Sequence, residues 1–274
     1  MAKSAPTRPA RRGERSFLDG YEASRWPRPS VTVDVVIFTV VDADLKVLLV
    51  RRGEHPFRGK LALPGGFLRV GPSAEDQGED LDDAAARELA EETGLPRGSV
   101  FLEQIGAFGA AGRDPRTRVV TVAYSALVRP TLAPLVRAGG DARSAGWTSV
   151  RSVDRKELAF DHGILLDGAL ARLRSQLEST PAVFELVPET FSIPELRAVF
   201  EVVRGTTLDA GNFRKRVARL VEDGILELAP GKRVTPRKPA RVYRFVRAPL
   251  PTPDGVPTSR TTPKATRDKG KTRK

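Results

Sequence analysis

The chain has 274 residues, with 46 Lys and Arg against 34 Asp and Glu, a net charge of +12, two histidines and no cysteine. That length holds one large domain or two modest ones. The absent cysteines exclude disulfides and thiolate chemistry, two histidines exclude a histidine-rich metal centre, and no apolar run is long enough to span a bilayer. A chain this basic favours polyanionic partners. The N-terminal residues Met1 to Arg15 are basic and lack an apolar core, so they do not read as a secretory signal. The expected compartment is the cytoplasm.

Residues 1–29, rich in Arg, Pro and Ser, show neither a helical nor a strand period and are read as a disordered basic arm. Val31–Val40 and Leu45–Val50 are β-branched, apolar strands joined by the turn Asp42-Ala43-Asp44. Leu61–Gly66 predicts a short strand that ends in a tight Pro64-Gly65-Gly66 turn, where backbone can approach a ligand. Asp80 is placed to cap a helix over 81–93, with Asp82 and Asp83 favouring its first turn and Gly94 its end. Strands follow near 100–105, 119–128 and 146–150, then a helix over 164–177. The order of strands and few helices predicts an α+β sandwich with a mixed sheet.

A second module begins near Phe184. Ser192-Ile193-Pro194-Glu195 is a capping box that opens a helix reaching about Arg204, with Leu196, Val199, Phe200 and Val203 as its apolar stripe. Asp209 caps a second helix to about Glu222, in which Phe213, Val217, Leu220 and Val221 face inward and Asn212, Arg214, Lys215, Arg216 and Arg219 lie elsewhere. A hairpin of 225–228 with 241–245 encloses a basic loop carrying Lys232, Arg233, Arg237 and Lys238. Helix, turn, basic helix and basic-tipped hairpin are the order of a winged helix-turn-helix. In such a module Asn212, Arg214 and Lys215 reach base edges, while Arg216, Arg219 and the hairpin cations hold phosphates of double-stranded DNA. The tail 247–274 is read as disordered and basic, serving either solubility or non-specific phosphate contact.

The densest signal lies between the two modules' extremes. Glu88, Glu91 and Glu92, at i, i+3 and i+4, share one helical face, and Arg87 is placed to pair with Glu91 and orient it. By spacing alone this is a solvated acidic face or a site for a hard cation such as Mg²⁺ or Mn²⁺. The full string Arg87-Glu88-Leu89-Ala90-Glu91-Glu92-Thr93-Gly94-Leu95, led by Gly78-Glu79, resembles the Nudix box of the diphosphate hydrolase superfamily. The resemblance implies Glu88, Glu91 and Glu92 as metal ligands and Arg87, Glu91 and Glu92 as catalytic residues, with Gly65 and Gly66 beside the ligand. One departure is a longer loop between Gly66 and Glu79, its extra piece roughly Gly71–Gln77.

Phe108–Arg116 is a glycine-rich, charged loop in which Arg113 is a candidate for phosphate or ribose, and Phe160-Asp161-His162 leads the following helix, with Asp161 or His162 as its cap. These segments, with Asp209–Lys215 and Pro239–Phe245, resemble a narrower group, the NrtR-type Nudix transcriptional regulators of NAD metabolism. The implied fold is an α+β Nudix domain (30–163), a linker helix (164–183) and a C-terminal winged helix (184–246). The implied function is a repressor, read as a homodimer, that senses ADP-ribose and binds operator DNA. The alternative is a Mg²⁺-dependent hydrolase of ADP-ribose or a related nucleotide. It lacks an evident general base, Asp114 and Asp141 being weak candidates.

Overall fold

The protein is represented by a computed structural model that describes residues 10–22, 25–73, 76–95, 100–135, 142–234 and 239–246. Residues 1–9 of the expected arm, the tail 247–274, Asp141, Arg237 and Lys238 lie outside the described residues. The rest of the arm departs from expectation, because Ala10–Asp19 forms a helix, α1. Prolines flank this stretch at Pro9 and Pro27 but are absent within it, arginine is a good helix former, and Phe17 pairs with Tyr21 one turn later (ring centroids 5.8 Å apart).

The main sheet is built on β1 (Ser30–Val41) and β2 (Asp44–Arg52). Asp42 and Ala43 between them both have φ near +55° (55° and 53°), the conformation of a two-residue hairpin turn that matches strand twist. β3 (Leu61–Ala62), β4 (Gly65–Phe67), β5 (Phe101–Phe108), β6 (Val119–Leu127) and β7 (Ala142–Ser149) complete it. The order is β3-β2-β1-β6-β5, with β4 also on β1 and β7 also on β2. β1 runs parallel to β6 and antiparallel to β2 and β4, so the sheet is mixed.

Both faces of the sheet are covered, which is why β1 reads as a continuous apolar run. Val33, Val35 and Ile37 pack under Ala84, Ala85 and Leu89 of α2 (Leu81–Thr93). Val36, Phe38 and Val40 face Leu165, Leu166 and Leu170 of α3 (His162–Gln176). Asp80 occupies the cap position of α2 but its side chain makes no capping bond, and Gly94 ends the helix at φ 71°.

The α3 side of the core does not stop at the first module. The same cluster runs through Leu173, Leu177, Val183 and Phe184 into Leu196, Phe200, Phe213 and Leu226. Phe184 stacks on Phe245 (4.9 Å) and Phe191 (6.1 Å), and Arg129 at the end of β6 reaches Glu185 at 2.9 Å. The second module contains α4 (Ile193–Arg204), opened by the complete Ser192/Glu195 capping box, and α5 (Ala210–Glu222), capped by Asp209. Its hairpin, β8 (Leu226–Arg233) with β9 (Ala240–Phe245), is longer than the sequence suggested. Lys232 and Arg233 pair with Arg241 and Ala240 inside the strands rather than in the loop, because an irregularity between Ala229 and Lys232 absorbs Pro230 and Gly231. Phe191 exchanges backbone hydrogen bonds with Tyr243 and adds a third edge, completing a winged helix.

A core shared across both modules predicts one cooperative unfolding transition. Leu173→Ala, at a side chain 3% exposed, should destabilise the protein by about 2–5 kcal/mol. In urea titrations followed by circular dichroism the variant should shift the single midpoint. Two separated transitions in the parent protein would show that the modules unfold independently.

Candidate functional site

A cleft of about 490 Å³ opens at the edge of the main sheet, walled by α2, β4, the end of β2 and the loop after β5. Glu88, Glu91 and Glu92 form its acidic wall, and Gly65, Gly66, Phe67, Asp34, Arg52, Arg113, Asp114, Arg116, Phe160 and His162 line the remainder. Gly65 and Gly66 lie in a strand paired to β1, not in the turn expected. Glycine is required at Gly65, where a Cβ would stand 2.4 Å from the Val33 carbonyl oxygen, and a Cβ at Gly66 would press on the Glu88 carboxylate.

Arg87 organises the acidic wall. Its guanidinium donates two bonds to Glu79 (2.9 and 2.6 Å), one to Glu88 (2.5 Å), one to Glu91 (3.2 Å) and one to the Phe67 carbonyl (3.2 Å). The pairing with Glu91 therefore exists, but Glu79 is the principal partner, and Arg69 takes the other Glu91 oxygen at 3.0 Å. The twin bonds from Arg87 hold Glu79 at a pKa of about 2. Glu88 is instead pushed up by burial, against the opposing pull of Arg87. The long loop does not displace this arrangement. Val70 and Gly78 bridge across its neck, and Glu79 accepts from the Arg69 backbone at 2.9 Å while its own N–H donates to the Arg69 carbonyl.

The opposite wall is a buried polar network. Arg113 is 4% exposed at its side chain, donates to both Asp161 oxygens (2.9 and 2.6 Å) and approaches Asp34 at 3.4 Å. Burial opposes its charge, but Asp161 and Asp34 outweigh it and raise its pKa. Asp161 sits at the cap position of α3, yet its carboxylate makes no bond to the helix amides because both oxygens face Arg113. His162 is buried and accepts the Leu63 N–H at Nδ1 (2.8 Å), which places its proton on Nε2, facing Asp34 at 3.5 Å.

The cations that open to the cleft are ones the sequence did not single out. Arg52 lies 4.8 Å from the Phe160 ring centre, and its pKa is lowered by burial and by the nearby charge of Arg116. Arg116 lies between Phe67 (5.3 Å) and Phe160 (5.9 Å) and holds Asp114 through two bonds (3.0 and 2.7 Å). That pairing depresses the Asp114 pKa and makes it a poor proton acceptor. These residues come from four separate segments, so no local motif could have announced them.

In the winged helix the expected cations divide by partner. Arg216 leans on Glu178 at 3.3 Å and over Phe200, and Arg233 holds Glu195 at 3.2 Å and the Thr190 carbonyl at 2.6 Å. Both are paired within the chain, Arg216 sharing its carboxylate with Arg204. Among the described residues Arg214, Lys215, Arg219 and Lys232 have no such carboxylate, and Asn212 lies on the exposed side of α5.

Comparison with known proteins matches the same two modules in the same order. Residues 31–168 match the NUDIX domain, and residues 183–245 match the NrtR DNA-binding winged helix domain. The chain belongs to the NrtR-type family of Nudix transcriptional regulators. It is 34% identical over 232 residues (85% of this chain, 88% of the relative) to the "ADPR responsive transcriptional repressor NtrR" of Acinetobacter baylyi. It is also 35% identical over 135 residues (49% of this chain, 69% of the relative) to an ADP-ribose pyrophosphatase of Methanocaldococcus jannaschii. Among solved structures it is similar to Shewanella oneidensis NrtR in complex with a 27mer DNA, with 33% identity, TM-score 0.66, and coverage of 79% of this chain and 93% of that one.

Nudix hydrolases as a group use divalent metals, and the acidic wall suits one in donor chemistry. Glu88, Glu91 and Glu92 line the cleft with carboxylate oxygens, the hard donors such a metal takes, and Arg87 and Arg69 hold Glu79, Glu88 and Glu91 beside it. Among the described residues Glu79, Glu88 and Glu91 converge on Arg87 rather than on a common point already shaped for a metal.

Burial lowers the His162 pKa below its ordinary 6.5. Protonation would also end its acceptance of the Leu63 N–H. The unfolded chain therefore takes up this proton first as pH falls, and the stability from neutral His162 is lost below about pH 6.5. His162→Gln should remove that part of the acid destabilisation, so the difference between parent and variant should change by up to about 1.4 kcal/mol per pH unit below that point. Urea unfolding between pH 5 and 8 reads it, and parallel curves would refute a buried neutral His162.

Proposed function

We propose that this chain is a repressor, acting as a homodimer, whose Nudix cleft binds ADP-ribose and whose winged helix binds operator DNA of NAD-metabolism genes. The observation that carries the reading is the placement of α3. Its cap residue Asp161 holds Arg113, which lines the cleft, and Glu178, just past its end, holds Arg204 (3.1 Å) and Arg216 of α5 (3.3 Å). One helix thus links the ligand cleft to the DNA-reading helix. Arg174 adds a bond to the Val203 carbonyl (3.0 Å), and Arg172 and Gln176 hold Glu103 of β5.

In this reading Arg52 and Arg116 receive the diphosphate, and the Phe67 and Phe160 rings offer flat faces to the adenine or ribose. Glu88, Glu91 and Glu92 would hold Mg²⁺ or Mn²⁺, which would neutralise diphosphate oxygens when bound. A phosphate beside Arg113 competes with Asp161, and a released Asp161 has an alternative partner in the Gly163 N–H in the first turn of α3. The helix then has two arrangements, and the ligand biases them by its difference in affinity for the two. A dimer presents two α5 helices to two half-sites, so a small tilt of each changes their spacing.

A second reading, hydrolysis of ADP-ribose, is favoured by the complete Glu79, Arg87, Glu88, Glu91 and Glu92 set and by the similarity to an ADP-ribose pyrophosphatase. Slow turnover of the effector is compatible with sensing.

Two outcomes are expected. ADP-ribose should shift the affinity of the full chain for its promoter DNA in a gel-shift titration, and a flat response across its concentration range would remove the sensing role. Glu91→Gln should abolish any Mg²⁺-dependent release of AMP from ADP-ribose, measured by chromatography, and activity surviving the change would mean that the metal wall is misassigned.

A further inference from the structure

A second cleft, of about 390 Å³, lies on the winged helix between the start of α4, the first turns of α5 and β9. Its floor is apolar, made by Ile193, Pro194, Ala210 and Ala240 with Tyr243, and three arginines, Arg197, Arg214 and Arg241, surround it. Three like charges at one cleft repel unless an anion joins them. Among the described residues no carboxylate pairs with Arg214 or Arg241, in contrast to the neighbouring Arg233, held by Glu195, and Arg244, held by Glu227. Arg197 Nε is buried without a hydrogen-bond partner. The nearest carboxylate, Glu201 at 3.5 Å, already accepts the Leu208 N–H at 2.8 Å through the same oxygen.

The geometry of α5 separates this cleft from the face that reads bases. Phe213 and Val217 point into the core. At about 100° per residue, Lys215 lies opposite them, Asn212 and Arg219 lie to one side of Lys215, and Arg214 lies on the flank toward α4 and β9. Arg216 occupies the other flank, against Glu178. Arg214 therefore belongs to the cleft more than to the centre of the exposed face.

We propose that this cleft seats one sugar-phosphate unit of the DNA backbone, with Arg197, Arg214 and Arg241 on the phosphate and the apolar floor against the deoxyribose. The proposal rests on the DNA-binding reading above and assigns Arg197 and Arg241, neither of them conspicuous in the sequence, to the interface. It also moves Arg214 from base reading to positioning. The cleft lies between the recognition helix and the wing, the two elements that flank the duplex in a winged helix, and this favours a DNA phosphate over a free anion.

The test uses the full chain and the variants Arg197→Gln, Arg214→Gln, Arg241→Gln and Lys215→Gln. Each is titrated by fluorescence anisotropy against a mixed-sequence duplex and a genome-selected duplex, both of about three helical turns, at salt from about 50 to 200 mM. Each arginine variant should weaken binding severalfold by the same factor on both duplexes and flatten the slope of log K against log salt by about 0.9 per phosphate lost. Lys215→Gln should instead erode the preference for the selected duplex. Unchanged melting temperature and unchanged ADP-ribose binding would confirm that the variants are folded. The proposal is overturned if Arg197→Gln and Arg241→Gln keep the parent affinity and slope, or if they weaken only inorganic phosphate binding measured by calorimetry. It is equally overturned for Arg214 if that variant loses selectivity rather than uniform affinity. A parent protein that binds neither duplex would instead remove the DNA-binding reading itself, an outcome distinct from failure of the cleft.

Discussion

Asp161 holds Arg113 with both carboxylate oxygens at the one point where the sheet, the cleft and the start of α3 meet. The pair is almost completely buried, and a buried charge left without its partner is costly, so neither residue can move alone. Asp34 and His162 extend the same constraint to β1 and, through the Leu63 N–H, to the segment between β3 and β4. The direction in which α3 leaves the sheet follows from this network. So does the position of everything that α3 carries.

What α3 carries is the second module. Its buried leucines pack on β1 and β6, and its last turn packs on the winged helix, within one continuous core. A rigid helix transmits a displacement better than a flexible linker would, since close-packed interiors do not deform continuously. Glu178 then fixes two arginines of the winged module at the far end. A buried polar network anchors one end of α3, and an ion-pair cluster anchors the other.

The acidic wall has a different economy of charge. Arg87 holds Glu79, Glu88 and Glu91 together, and Val70 and Gly78 bridge the neck of the inserted loop. An enzyme and a sensor can share such a wall, because cleavage needs an activated, in-line water and a stabilised leaving group in addition to the contacts that bind a diphosphate. Asp114 is held below its usual range by Arg116.

The features readable in the sequence were those set within a few residues. The Glu88, Glu91 and Glu92 face, the Ser192/Glu195 capping box, the Asp209 cap and the apolar stripes of α4 and α5 are all local patterns, in which covalent spacing alone determines which side chains are neighbours. The sequence by itself therefore determined the two modules, their order and the acidic box. The tertiary structure decided which cations remain available. Arg52, Arg116 and Phe160 meet only because β2, the loop after β5 and the approach to α3 converge at one sheet edge. Arg216 and Arg233 pair with Glu178 and Glu195, while Arg241 has no carboxylate partner among the described residues and Arg197 has only Glu201, at 3.5 Å. A basic residue's role depends on whether a carboxylate lies within a few ångströms, and for residues distant in the chain only the packed fold sets that distance.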